Sequence, residues 1–251
     1  MRPRFFAALA VTTSLALVSP AMGVDMPSGE SLLQRYIDLT GGAQVWAKAK
    51  NVARTGTVEL PAQNISGTVS IFEEGEKNYT VMEFPGIGKI EEGFDGETAW
   101  ENSALTGPRI LEGPEKIEAK RAAMLSRITA WRDVYKEART VGSEDLEGKP
   151  AWRVEMTPKE GKSETFFFDR ESGLLVRTSA VHTTALGDIA ADATMSDFRP
   201  VEGILTPFVL TEKAMSQTIV MRLSSVSYNA ALPKDRFDLP GAIKDLASRK
   251  R

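Results

Sequence analysis

The chain has 251 residues, of which 42% are hydrophobic and 26% are charged, and these values are typical of a globular protein. Its net charge of −3 gives no strongly basic surface, so no nucleic-acid partner is expected. With one histidine and no cysteine, the composition excludes disulfides, thiol nucleophiles, iron–sulfur clusters and Cys/His zinc sites.

Residues 1–23 have the pattern of a cleaved signal peptide. Arg2 and Arg4 precede an apolar run from Phe5 to Val18, and small residues follow at the positions of a cleavage site. The run is shorter than the roughly 20 residues that a membrane-spanning helix needs. We therefore expect residues 24–251 to be exported to the periplasm as a soluble protein with a single domain.

Two helices are predicted at the start of the exported part. Ser28 is placed to cap the first helix, whose apolar residues recur at helical spacing before Gly41 and Gly42 end it. A short second helix is predicted over Ala43–Lys50, with Trp46 as an apolar anchor.

From Val52 the pattern changes to short strands separated by turn residues. The pair Asp95-Gly96, between Phe94 and Trp100, is the clearest hairpin signal in the chain. Consecutive strands with such turns predict an antiparallel meander and not a series of βαβ units.

One amphipathic helix is predicted over residues 114–128, between two groups of strands. Pro114 suits the first turn of a helix, and four apolar residues fall on one helical stripe. This stripe consists of Ile117, Met124, Leu125 and Ile128. Trp131 and Tyr135 extend the stripe if the helix continues, and the helix is expected to pack on the concave face of the sheet.

The remaining chain alternates again as strands, with Pro207 predicted to mark an edge or a bulge. A large antiparallel sheet with few helices must close, pack on another sheet or curl over its helices. The pattern favours a mainly β (α+β) fold in which the sheet curls over the helices and leaves a cavity.

Four stretches resemble the periplasmic lipoprotein carriers LolA and LolB and their exported relatives. FDGETAWEN at 94–102 is similar to a hairpin of these carriers, and DRFDLPGAIK at 235–244 to their closing segment. FFFDRESGLLVR at 166–177 and the opening RYIDLTGGAQVWAKAKNVARTGTVELP are similar to relatives described as outer-membrane lipoprotein-sorting-like proteins.

The resemblance implies an unclosed, curved antiparallel β-barrel, or half-barrel, with a few helices as a lid over a hydrophobic cavity. It also implies a monomeric carrier or chaperone that binds acyl chains of lipoproteins or lipids for transfer towards the outer membrane. An inner-membrane donor and an outer-membrane acceptor are the expected partners. No metal, no cofactor and no catalytic activity are expected.

The cavity is expected to be lined by apolar residues of the first strands and of the predicted helix. These are Phe72, Tyr79, Val81, Met82, Phe84, Ile90, Trp100, Ile117, Met124 and Leu125. Alternation along a strand does not tell which of them face the cavity and which belong to the core.

Two other functions remain open from the sequence. An envelope-acting hydrolase would need a carboxylate pair, yet adjacent acids such as Glu91 and Glu92 point to opposite faces of a strand. A sensor or assembly module that carries no lipid would have a filled core and an exposed apolar patch. His182 lacks the partner motif of a catalytic histidine and is interpreted as a structural residue.

Overall fold

A computed structural model describes residues 26–104, 106–184 and 187–249. The predicted signal peptide, residues 1–23, lies outside the described residues. Within them, no helix is both long and apolar enough to cross a membrane. The helices are α1 (Gly29–Leu39), α2 (Gly42–Trp46), α3 (Gly113–Ala122), α4 (Trp131–Val134) and α5 (Gly241–Arg249).

Thirteen strands make up most of the rest of the described chain. They are β1 (Asn51–Leu60), β2 (Ile65–Glu74), β3 (Lys77–Phe84), β4 (Gly88–Phe94), β5 (Ala99–Ser103), β6 (Gly107–Leu111), β7 (Tyr135–Leu146), β8 (Lys149–Pro158), β9 (Glu164–Asp169), β10 (Leu175–Thr184), β11 (Gly187–Val201), β12 (Ile204–Ala214) and β13 (Gln217–Tyr228).

All thirteen strands form one antiparallel sheet in the order β6-β5-β4-β3-β2-β1-β13-β12-β11-β10-β9-β8-β7. The sheet consists of two meanders joined where β1 pairs with β13. It is not closed, because β6 and β7 end the order without pairing to each other. This topology confirms the predicted antiparallel half-barrel.

The connection between the two edge strands crosses the inner, concave face of the sheet. Residues 112–134, here named the crossing segment, lead from β6 to β7 and contain α3 and α4. α3 contacts β4 and β5 near one edge and also β10 in the other meander. The crossing segment therefore bridges the two halves of the curved sheet.

The predicted helix over residues 114–128 is too long, because α3 ends at Ala122. Met124 packs on the cluster formed by α1 and strands β7–β10, whereas Leu125 packs on the cluster around Trp46. The Leu125 N–H also donates to the carbonyl oxygen of Gly75 at 3.1 Å. On one helical stripe, Met124 and Leu125 would face the same cluster. The irregular backbone after Ala122 lets each of them reach a different one.

The main core lies between α1 and the inner face of the second meander. Ser28 caps α1 as predicted, its side chain accepting from the Ser31 N–H at 3.1 Å. Tyr36 of α1 packs edge-on against Phe168, with ring centroids 6.1 Å apart. The apolar stripe of α1 is therefore what anchors this helix on the sheet.

Two further predictions have clear outcomes. The Asp95 carboxylate accepts the N–H groups of Glu97 and Thr98 and so forms the predicted hairpin turn between β4 and β5. Pro207 lies opposite Phe198 in the β11–β12 ladder, whose register continues from the pair Ser196–Val209 without a shift. The pairing of β12 with β13 begins only at Val209, so Pro207 lies where β12 is an edge, which is one of the two predicted outcomes.

Candidate functional site

A cavity of about 630 Å³ lies between α3 and the inner face of the sheet. We name it the rim cavity, because Thr106 and Thr184 on its wall stand at the ends of strands. Its apolar wall includes Leu111, Ala119 and Ile189. The volume lies within the range of small-molecule sites.

Ion pairs hold α3 over the rim cavity. The Arg109 guanidinium contacts Glu115 at 2.9 Å and Glu101 at 2.9 Å. On the other side, a carboxylate oxygen of Glu118 lies 3.0 Å from Nδ1 of His182, and the second oxygen accepts the Thr183 N–H at 3.3 Å. These contacts tie the helix to both meanders through side chains that water can reach.

Glu164 is the buried centre of a second polar group beneath the crossing segment. Its carboxylate accepts from the Tyr135 hydroxyl at 2.8 Å and pairs with Arg121 at 3.0 Å and Arg127 at 3.4 Å. Burial raises the pKa of Tyr135, and the nearby carboxylate opposes loss of the proton as well. The Tyr135 hydroxyl therefore keeps its proton and remains a donor to Glu164, which lies between the two guanidinium groups.

Glu92 is a second inner-face carboxylate and stands directly opposite Glu101 in the β4–β5 ladder. Glu92 lines the rim cavity, where its side chain is exposed. Desolvation within the concave sheet, together with the charges of Glu212 and Glu101, raises the pKa of Glu92 to about 7. The neighbouring Glu101 is ion-paired with Arg109, so the two carboxyl groups have different environments.

A smaller cavity of about 270 Å³ continues the inner face on the other side of the crossing segment. We name it the central cavity. Its apolar wall is formed by Tyr36, Trp46, Ile71, Met124, Leu125, Ile128 and Leu210. Ala122 and Arg127 line both this cavity and the rim cavity, so they form the partition between the two.

One buried ion pair faces the central cavity. Arg54 of β1 contacts Glu73 of β2 at 3.0 Å, and both side chains are less than a fifth exposed. Burial works against the charge of Arg54, but Glu73 and the adjacent Tyr228 raise its pKa above the ordinary value. The pair is thus neutral overall and leaves most of the wall apolar.

The ten residues predicted to line the cavity occupy several places. Met124 and Leu125 line the central cavity. Met82, Phe84 and Ile90 belong to an inner-face cluster with Val58 and Val69. Ile117 lies on α3 next to Gly161, at the surface of the helix that faces the β8–β9 turn.

The other four lie on the outer face of the sheet. Phe72, Tyr79 and Trp100 form a row, with ring centroids 6.3 and 5.9 Å apart, and alternation places Val81 with them. The Arg236 guanidinium covers Phe72 at 4.3 Å. The C-terminal segment therefore packs over these aromatic rings on the side away from both cavities.

Alternation separates the acids as the sequence analysis predicted. Glu91 lies on the outer face, where its carboxylate accepts from the Tyr79 hydroxyl at 2.6 Å and from Asn102 at 3.0 Å. Glu92 faces inward. The pair that does converge, Glu92 with Glu101, comes from two neighbouring strands, and the sequence analysis did not identify it.

The residues of the rim cavity were also missed. Glu118, His182 and Ile189 come from α3, β10 and β11, which are far apart in the sequence. The alternation of β10 does group His182 with its inner neighbour Ala180, and this was the available signal. Its contact with Glu118 depends on the path of the crossing segment, which no local pattern encodes.

No protein-family model matches the sequence, and no curated protein matches it. Among solved structures, a LolA superfamily protein from Nitrosomonas europaea aligns over 85% of this chain and 99% of its own, with TM-score 0.56 and 10% identity. A DUF1329 family protein from Desulfovibrio piger aligns over 83% and 96%, with TM-score 0.55 and 14% identity.

A third solved structure, a domain described as outer membrane lipoprotein-sorting from Vibrio parahaemolyticus, aligns over 83% of this chain and 95% of its own. Its TM-score is 0.54 and its sequence identity is 11%. At such identities the likeness concerns the architecture. The chain has a LolA-like fold, as the resemblance in its sequence implied.

Proposed function

We propose that the protein is a periplasmic carrier that holds acyl chains of lipoproteins or lipids on the inner face of its sheet, for transfer towards the outer membrane. One observation carries this proposal: two adjacent cavities, of about 630 and 270 Å³, are separated only by part of the crossing segment. The LolA-like fold supports it. In this role the protein binds its cargo and does not transform it.

The two cavities fit the two parts of an acylated ligand. The central cavity offers the apolar surface of Met124, Leu125 and Ile128 to an acyl chain. The rim cavity adds ion-paired side chains such as Arg109, which suit the polar part of the ligand. The predicted residues Met82, Phe84 and Ile90 line neither cavity, but they pack in the inner-face cluster that includes Ile71, a residue of the central cavity wall.

Binding requires the crossing segment to move, and the energies permit this. α3 has no buried residue, and its ion pairs through Glu115 and Glu118 are within reach of water, whereas its Arg121 pairs with the buried Glu164. The exposed pairs contribute about 0.5 kcal/mol each, and breaking the buried pair costs about 3 kcal/mol. Burying an acyl chain of some sixteen carbons contributes on the order of 10 kcal/mol before the costs of association. The ligand can therefore displace α3 and join the two cavities.

The test compares two glutamate substitutions on the crossing segment. Met124→Glu places a carboxylate in the apolar wall of the central cavity, where it must be desolvated or protonated. Lys120→Glu is the matched control, because Lys120 is exposed on α3. We expect Met124→Glu to weaken binding of a fluorescent fatty acid at least tenfold and Lys120→Glu to leave it nearly unchanged.

Circular dichroism would confirm that both variants fold. Equal affinities of the two folded variants would contradict the proposal. Mass spectrometry of protein purified gently from its native envelope gives an independent measurement, in which co-purifying acyl species are expected.

A second function, hydrolysis of envelope glycans, is favoured by the facing carboxyl groups of Glu92 and Glu101. A carboxyl group with a raised pKa that faces a second, ion-paired carboxyl group is an arrangement that acid catalysis by a glycosidase uses. The experiment is release of reducing ends from purified envelope glycans by the wild type and by Glu92→Gln. Release by the wild type that Glu92→Gln abolishes would establish a hydrolase in place of a carrier.

A further inference from the structure

The two ends of the sheet differ in chemistry along the first meander and the adjoining strands β11–β13. Four neighbouring hairpins, β5–β6, β3–β4, β1–β2 and β12–β13, turn at the same end of the sheet because their strands are antiparallel and adjacent in its order. The described residues of these turns carry no charge. They are Pro61, Ala62, Gln63, Asn64, Pro85, Gly86, Ile87, Ala104, Thr106, Met215 and Ser216. We name this set the apolar rim.

The turns at the opposite end are acidic. Glu76, Asp95, Glu97 and Glu202 lie in the β2–β3, β4–β5 and β11–β12 turns. Along the first meander and the β12–β13 hairpin, one end of the sheet is thus uncharged and the other is acidic, whereas farther along the sheet the β8–β9 turn at the uncharged end carries Lys159, Glu160 and Lys162.

Neighbouring turns of the apolar rim touch each other. The Gln63 side-chain amide donates to Oε1 of the Gln217 side chain at 2.7 Å, which joins the β1–β2 turn to the start of β13. The Ala104 N–H donates to the Lys89 carbonyl oxygen at 3.0 Å, which joins the β5–β6 turn to β4. These contacts join the turns in two pairs, β1–β2 with β12–β13 and β5–β6 with β3–β4.

Met215 stands out within the apolar rim. It is 80% exposed and has φ 55°, in a hairpin turn where Asn or Gly has the lower backbone energy. Ile87 in the β3–β4 turn is 37% exposed. A bulky apolar side chain that is both strained and exposed adds nothing to the fold, so we look to binding for its role.

Charges directly behind the apolar rim are paired. Glu83 lies 3.7 Å from Lys89, and Glu59 lies 3.6 Å from Arg222. Lys213, two residues before Met215, is exposed, and a lysine side chain can keep its ammonium group in the headgroup region. The approach of this end to an apolar medium therefore requires little desolvation of these charges.

We propose that the apolar rim docks on the surface of a lipid bilayer, with Met215 and Ile87 inserted at the level of the headgroups. The rim cavity has Thr106 of the β5–β6 turn in its wall, so its mouth adjoins the docked surface. An acyl chain then passes between bilayer and cavity with little exposure to water. This role in transfer rests on the proposed function, but docking itself requires no cargo.

A bilayer fits this surface better than a protein does. The apolar side chains project from separate turns, and a fluid interface accepts each of them singly. A protein partner would need a matching pocket for each anchor. The acidic turns at the opposite end also disfavour the reverse orientation on anionic lipids.

The experiment uses residues 24–251, which include every described residue, and vesicles of phosphatidylethanolamine and phosphatidylglycerol. Because the chain has no cysteine, the variant Met215→Cys takes a single environment-sensitive dye. We expect its emission to shift to the blue when vesicles are added, also at high salt. The same dye on Leu39→Cys is the control, because Leu39 is 45% exposed beside the acidic-end turn at Gly173.

A second variant separates docking from folding. Met215→Asn suits the backbone of the turn, so its thermal midpoint should equal or exceed that of the wild type. Its partition onto vesicles should fall about fivefold, as expected for one partly inserted methionine. Leu39→Asn should partition like the wild type.

An unshifted dye at position 215, equal shifts at positions 215 and 39, or full vesicle binding by Met215→Asn would overturn the docking proposal. Fatty-acid binding in detergent-free buffer is measured in parallel. Loss of docking with intact fatty-acid binding removes only this inference, whereas docking without any fatty-acid binding removes the proposed function.

Discussion

The Glu118 carboxylate on α3 lies 3.0 Å from Nδ1 of His182 on β10, so the single histidine of the chain ties the crossing segment to the sheet. The His182 side chain is 48% exposed and that of Glu118 only 13%. Water therefore weakens this interaction, so a ligand or a change of conditions can break it.

Removing this contact should loosen α3 without unfolding the protein. His182→Ala is expected to increase hydrogen exchange of the backbone amides in residues 113–122. The free energy of unfolding should fall by less than about 1 kcal/mol, because one partner is half exposed. Exchange mass spectrometry beside a urea titration measures both, and a large fall in stability would show that the contact is structural.

Removing the charge of the buried Glu164 should, in contrast, lower the free energy of unfolding strongly. Glu164→Gln leaves Arg121 and Arg127 facing a neutral amide, and the Arg121 side chain is only 10% exposed. We expect a loss of about 3 kcal/mol in urea denaturation, as for a broken buried ion pair. Glu155→Gln is the matched control, because its partner Arg139 is 61% exposed, and should cost under about 1 kcal/mol. Equal losses would contradict this assignment.

The stability of the protein should depend on pH through Glu92. Because its pKa rises from 4.5 to about 7 on folding, the folded state binds the proton more tightly and loses stability as the pH rises through this interval. Glu92→Gln should unfold at the same temperature as the wild type at pH 4 and above it at pH 8. Water in the cavity limits the difference to on the order of 1 kcal/mol. If the unfolding temperatures of the wild type and Glu92→Gln differed by the same amount at every pH, the raised pKa of Glu92 would be refuted.

The division of the predicted residues between two faces is also testable. Phe72→Ala removes an outer ring that lies under Arg236 and beside Tyr79. It should lower the free energy of unfolding by about 2 kcal/mol and leave fatty-acid affinity unchanged. Met82→Ala, on the inner face, should weaken fatty-acid binding as well. Titration calorimetry or probe fluorescence on both folded variants distinguishes the two faces.

Local patterns were sufficient for most elements of this fold. Ser28 begins α1 because a side-chain oxygen must satisfy a free N–H group there. Asp95-Gly96 forms its turn because the two residues tolerate the backbone that a tight hairpin needs. Both signals act over a few residues, so they operate before any tertiary contact exists.

The crossing segment shows where such patterns fail. Its apolar spacing predicts a helix to residue 128, yet the backbone leaves the helix after Ala122 because Met124 and Leu125 pack on different clusters. Tyr135 continues the same spacing but begins β7, since the edge of β8 offers it hydrogen-bond partners. Distant packing outweighs a weak helical preference here.

The sequence by itself therefore determined most of the strands, their antiparallel order, the turns and the first helix, because alternation and turn chemistry are local. The two edge strands, β6 and β7, were not among the predicted strands. Only the tertiary structure decided which face of each strand is the inner one. Alternation separates Tyr79 from Met82 but treats the two faces alike. The curvature of the whole sheet and the path of residues 112–134 across it place Met82 inside, Tyr79 outside and Glu118 against His182.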